Sequence, residues 1–105
     1  MATTTTPIAE RYHPRVEANL MVRVNTGRRD WVVRATNLSM DGLYVSGDVP
    51  LPRRVMVTIP LPSGEEVVTG CDVSRADDSG AALRFDTLDW DHLIALARFL
   101  NPRLP

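Results

Sequence analysis

Two short polar clusters hold the residues whose types and spacing could do chemistry: Glu10-Arg11-Tyr12-His13-Pro14-Arg15 and Thr36-Asn37-Leu38-Ser39-Met40-Asp41-Gly42-Leu43. In the first, Pro14 cannot continue a helix and stiffens the segment, so Arg11 and Arg15 sit on an extended or turned loop. Two such guanidinium groups can grip phosphate oxygens bidentately, meet the O6/N7 edge of a guanine, or stack over its ring. They can equally form a solvated basic segment, and an Arg-x-x-x-Arg match arises about once by chance in a chain this rich in arginine. The second cluster is more specific. Asn or Asp, then Ser two later, then Gly three after that, is expected in roughly a few per cent of chains of this composition. Asn37 and Ser39 can donate and accept, which suits a guanine edge and a phosphate oxygen, while Gly42 allows positive φ or a close approach. The same side chains can instead cap their own backbone in a polar turn.

The elements that must position these clusters are legible from periodicity. Val16 to Asn25 alternates, with Val16, Ala18, Leu20, Val22 and Val24 on one side, as in a half-buried strand. A turn at residues 26–30 leads to a second strand, Trp31 to Thr36, with Trp31, Val33 and Ala35 on one face. Gly42 to Ser46 is a third. After a Pro-rich loop come Val55 to Leu61, Glu65 to Ala76 (with Val67, Thr69, Cys71 and Val73 on one face) and Ala81 to Phe85, separated by Pro62-Ser63-Gly64 and Asp77-Asp78-Ser79-Gly80. Short strands at this spacing indicate an antiparallel barrel or sandwich. The period then changes. Thr87 is a plausible N-cap, with Asp89 and Asp91 in the first turn, and Leu93, Leu96, Ala97 and Leu100 recur at helical spacing. Pro102 ends the helix, with Asn101 biased out of it.

Length and charge bound the function. One domain is the default for 105 residues, and a net charge of −1 provides no global field for a long nucleic acid. All twelve basic residues are arginine, so an anion site here uses planar, forked donors. The single cysteine, Cys71, excludes an internal disulfide and reads as an inert core residue. The N-terminus lacks the basic start and apolar run of a signal peptide, and the longest apolar stretch, Leu93 to Ala97, is too short to span a bilayer; the reading is cytoplasmic, with no membrane partner. His13 and His92 have no Cys or Glu at ligand spacing, so no metal and no cofactor is expected. Ser39 lacks a Gly-x-Ser-x-Gly context, so no catalytic residue is assigned. Trp31 and Trp90 read as packing residues, Arg34 as a surface residue able to assist an anion, and Arg28-Arg29 and Arg53-Arg54 as solvated or partner-facing loop charges.

The ordered pair of motifs resembles the PilZ family. Arg11-Tyr12-His13-Pro14-Arg15 followed by Asn37-Leu38-Ser39-Met40-Asp41-Gly42 is similar to that family's two motifs in order and separation, and Gly80-Ala81-Ala82-Leu83-Arg84-Phe85 looks like its last strand. The resemblance covers about residues 10–100. It implies an all-β fold with one helix, a six-stranded antiparallel β-barrel plus a C-terminal α-helix. The expected layout is a flexible tail at 1–9, then a PilZ domain at 10–105 with a loop at 10–15, the barrel at 16–86 and the helix at 87–101. It also implies a bacterial cyclic di-GMP receptor without catalysis. Arg11 and Arg15 would bind phosphates and guanine Hoogsteen edges, Asn37 and Ser39 would contact a guanine, and Gly42 would shape the turn. Tyr12 stands where many members have a second Arg, and Asn37 where many have Asp, a better acceptor from guanine N1–H and N2–H. The expected mechanism is ligand-induced ordering of residues 1–15 against the 37–42 turn, read by a downstream protein. The alternative is a protein-interaction adaptor of the same fold that does not bind cyclic di-GMP.

Overall fold

The structure, a computed structural model, describes residues 15–103; the expected tail at 1–9, and Arg11 with the rest of the loop up to residue 14, lie outside them. Six strands follow in order: β1 (Val16–Asn25), β2 (Asp30–Leu38), β3 (Gly42–Ser46), β4 (Arg54–Pro60), β5 (Glu66–Asp77) and β6 (Gly80–Phe85). All neighbours pair antiparallel, and the order β1-β2-β3-β6-β5-β4 closes on itself through β1 and β4. This is the six-stranded antiparallel barrel expected, with one helix, α1 (Trp90–Leu100), after it. Closure removes the unpaired strand edges that an open sheet would expose.

Alternation dictates the core. Val22, Val24, Val57, Ile59, Val67 and Cys71 are each at most 1% exposed, and their sequence neighbours on the same strands mostly face water. The β-branched valines and isoleucine among them pack well on a pleated surface buried on one face. Helix α1 buries Ala95, Leu96 and Leu100 against this core, whereas Ala97, expected on the buried face, is exposed. The helix begins at Trp90, later than expected, and Thr87 does not cap it. Asp89 occupies the cap position in extended conformation (φ −61°, ψ 155°) without a side-chain cap bond, and its carbonyl accepts from the Leu93 N–H. Asn101 stays in the right-handed helical region despite Pro102. Its N–H donates to the Ala97 carbonyl, and residues Asn101–Arg103 tighten into a 3-10 turn. Trp90 is 72% exposed rather than packed, while Trp31 is half-buried beneath the Arg29 guanidinium, 5.1 Å from its ring centre.

Three irregularities interrupt the ladder. Register slips between Glu17 and Leu20 in β1, between Ala35 and Asn37 in β2, and between Val73 and Arg75 in β5. Each inserts an extra residue, and a bulge of that kind re-aims the side chains beyond it.

Candidate functional site

The first turn of chain after β2 explains the second motif locally. Ser39 is only 3% exposed. Its hydroxyl donates to the Asp41 carboxylate at 2.6 Å and accepts from the Asp41 N–H at 3.3 Å, while the Ser39 N–H donates to the Gly42 carbonyl at 2.9 Å. The Asp41 carbonyl in turn accepts from the Phe85 N–H at 2.9 Å, fastening the turn to β6. The Ser39 side chain therefore caps its own turn. Gly42 uses close approach rather than positive φ. It pairs with Arg84, and a Cβ there would collide with the Leu83 carbonyl oxygen of the neighbouring strand.

Asn37 reaches the outside through the β2 bulge. Val33 and Ala35 face the core, and uninterrupted alternation would send Asn37 inward with them. The extra residue, Thr36, shifts the phase, so that Leu38 is buried at 1% exposure and Asn37 lies half-buried. Arg15 is set by β1. Val16 pairs with Leu38 and Glu17 with Asn37, so Arg15 enters beside the Ser39 turn.

Arg15, Asn37, Ser39 and Gly42 thus border one open cleft of about 100 Å³, together with Asp41, Tyr44, Ser74, Ala82 and Arg84. The remaining expected site residue, Arg11, lies outside the described residues. Tyr44 and Ser74 lie outside the stretches that carry the resemblance, and Asp41 and Arg84 fall within them at positions to which no role was assigned. Tyr44 pairs with Ala82 and Gly42 with Arg84 across β3 and β6, and Ser74 is the bulged residue of β5, its hydroxyl donating to the Ala82 carbonyl at 3.1 Å. For Tyr44, Ser74 and Arg84 the signal in the sequence is a place on the outward face of strands, and alternation alone does not say which strands pair. Arg15 and Arg84 bring two positive charges to the rim and Asp41 one negative, and among the described residues neither arginine is ion-paired. The cleft can therefore attract an anion and offer both a carboxylate and an amide to a hydrogen-bonding edge.

Two other arginines are engaged by polar side chains. Arg34 donates to the Asn19 side chain. Arg54, expected as a loop charge, bridges Asp72 at 2.7 Å and grips both oxygens of Asp86 at 3.0 and 2.5 Å. Hydrogen bonds from Arg54 hold the Asp86 carboxyl below its ordinary 3.8. Cys71 is fully buried, and burial pushes its thiol up to about 12. Among the described residues no group of three or more His, Cys, Asp or Glu gathers as for a metal, and no helix is long and apolar enough to cross a membrane.

The architecture has counterparts among solved structures. The Bacillus subtilis inhibitor of motility MotI/DgrA superposes with a TM-score of 0.76 at 19% identity, over 89% of this chain and 50% of that one, so this chain spans half the length of MotI. The PilZ domain of CeSA from a cellulose-synthesizing bacterium gives a TM-score of 0.69 at 20% identity, over 84% of this chain and 95% of the other. An uncharacterized Legionella protein gives 0.55 at 16%, over 84% and 90%. At these identities the likeness concerns the fold alone. No curated protein sequence matches the chain. At the level of sequence families, the PilZ domain model matches residues 9–101, nearly the full length, and on that match the chain belongs to the PilZ domain family.

Proposed function

We propose that this protein is a cyclic di-GMP receptor that signals through a downstream protein. One observation carries the reading: the residue just before β1, the end of β2, the following turn and the start of β3 border a single cleft that combines arginine with an amide and a carboxylate. Arg15 grips a phosphate or a guanine Hoogsteen edge. The Asp41 carboxylate, oriented by the Ser39 hydroxyl, accepts from guanine N1–H and N2–H and offsets the weaker acceptor at Asn37. Ser39 and Gly42 act by shaping the turn. Arg11, four residues before Arg15, is the second cation, and the ligand draws it onto the cleft. The surface so formed is what a partner reads. The role is binding rather than catalysis.

Isothermal titration with cyclic di-GMP tests this. Saturable heat is expected, and its stoichiometry distinguishes one bound molecule from a stacked pair. No saturable binding up to hundreds of micromolar overturns the receptor reading. Arg15→Ala is expected to weaken binding by about 1–3 kcal/mol, the usual loss for a charge-assisted contact, with an unchanged melting temperature. The second reading, an adaptor of the same fold that does not bind this ligand, draws on one observation: the Ser39 hydroxyl is already engaged by Asp41.

A further inference from the structure

The outward face of the β3–β6 pair alternates large and small residues in both directions. Tyr44 stands opposite Ala82, and Gly42 opposite Arg84. Gly42 contributes no side chain and Ala82 only a methyl, so the cleft has a low floor flanked by Tyr44 and Arg84. Both residues line the same cleft, and the Tyr44 ring leans over Gly80, on the side of Ala82 away from Arg84, which leaves the space above Ala82 and Gly42 open.

One hydroxyl contact and one close approach define where the Tyr44 ring lies. Its hydroxyl lies 3.3 Å from the Ser79 hydroxyl. The Ser79 hydroxyl proton is committed to Asp77 at 2.7 Å, so the tyrosine donates. Asp77 further accepts from the Ser79 and Gly80 N–H groups at 2.8 and 3.2 Å. Beneath the ring, Gly80 leaves no space: a Cβ would come within 2.7 Å of the Tyr44 hydroxyl and 2.8 Å of its Cε2. Arg84 is exposed and has no ion-pair partner among the described residues, because Asp72, its neighbour across β5, is taken by Arg54. An anchored aromatic ring and an uncommitted guanidinium both favour stacking on a planar base.

We propose that Tyr44 and Arg84 form a base slot, with Ala82 and Gly42 as its floor, that takes a purine ring of the bound nucleotide. The assignment rests on the receptor reading and adds two contacts that neither sequence motif contains. Titrations with cyclic di-GMP, read by heat and by the loss of guanine absorbance that accompanies stacking, test it on the wild type, Tyr44→Phe, Tyr44→Leu, Arg84→Lys and Arg84→Ala. Each variant is first shown to melt as a folded barrel. Tyr44→Leu is expected to bind about ten-fold or more weakly and to lose much of the absorbance change, while Tyr44→Phe keeps it. Arg84→Lys, which retains charge but not a planar face, is expected to resemble Arg84→Ala. If the wild type binds and Arg15→Ala does not, yet Tyr44→Leu and Arg84→Ala behave as wild type, the slot is wrong and the receptor reading stands. Full rescue by Arg84→Lys likewise overturns stacking by that residue. A wild type that fails to bind overturns both.

Discussion

At the scale of single residues, Gly42 and Cys71 show how little freedom the site's supports have. Gly42 belongs to the binding motif, yet its contact with the Leu83 carbonyl makes it a packing requirement. Any side chain there must push β3 away from β6, and overpacking of that kind costs about 1–3 kcal/mol. Gly42→Ala is therefore expected to lower the urea midpoint accordingly. An unchanged midpoint would mean that the two strands can part without cost. Loss of ligand binding in this variant says nothing about direct contact unless the fold is intact. Cys71 supplies a different readout. Its thiol ionises only at about 12, against an ordinary 9.0, because burial penalises the thiolate. A thiol-specific reagent at pH 8 is expected to leave it unmodified until the barrel unfolds. The raised value also has a sign for stability. Between pH 9 and about 12 the unfolded thiol ionises and the folded one does not, so its share of stability is complete below 9 and declines as pH rises. The decline approaches about 1.4 kcal/mol per pH unit. Cys71→Ala should flatten that part of the stability curve.

At the scale of elements, what could be read from the chain and what could not divide along physical lines. Strands buried on one face announce themselves, since Val55, Val57 and Ile59 must alternate with outward residues or expose the core. Helix α1 was recognisable from its spacing, but its start was not. The cap position went to Asp89, whose side chain makes no cap bond, so the usual preference for a capping Thr had nothing to act on. The bulges at Thr36 and Ser74 were invisible, because one inserted residue leaves composition and average period unchanged while reversing which side chains face out. Arg15, Asn37, Ser39 and Gly42 could be nominated from spacing alone. Tyr44 and Arg84 could not, because their proximity depends on β3 pairing with β6 across the intervening β4 and β5. The helix carries its own prediction. Leu96 is fully buried against the barrel and Ala97 on the next position is exposed. Leu96→Ala should cost about 2–5 kcal/mol in chemical denaturation, and Ala97→Ser less than about 0.5 kcal/mol. Similar costs at both positions would mean that α1 does not dock as described.

At the scale of the whole molecule, a single charged cluster ties distant parts of the chain together. Arg54 opens β4, Asp72 lies in β5, and Asp86 follows β6 on the way to α1, with separations of 18 and 32 residues from the arginine. The Asp86 N–H also donates to the Gly70 carbonyl at 2.9 Å, and a Cβ on Gly70 would press on both Asp86 and Arg54, so the cluster lies directly on the strand beneath it. Its side chains are about half exposed, which screens the attraction and keeps the contribution modest. The direction of its pH dependence is nonetheless fixed. The Asp86 carboxyl is held below 3.8 by Arg54, and that of Asp77 below 3.8 by the Ser79 hydroxyl and N–H. A carboxylate with a lowered folded pKa stabilises the native state at and above its ordinary value, and that stabilisation is lost as pH falls below 3.8 toward the folded value. Wild-type stability is therefore expected to drop as pH falls below 3.8. In Asp86→Asn the neutral-pH stability should be slightly lower and the acid slope shallower, because one of the two titrating carboxylates is gone. High salt should shrink the difference between wild type and Asp86→Asn at neutral pH, since screening at 1 M acts over about 3 Å. Thermal melts from acid to neutral pH at low and high salt measure all three effects. An acid slope identical in the two proteins would show that the Arg54 cluster contributes geometry to the β6–α1 junction but no proton-linked stability.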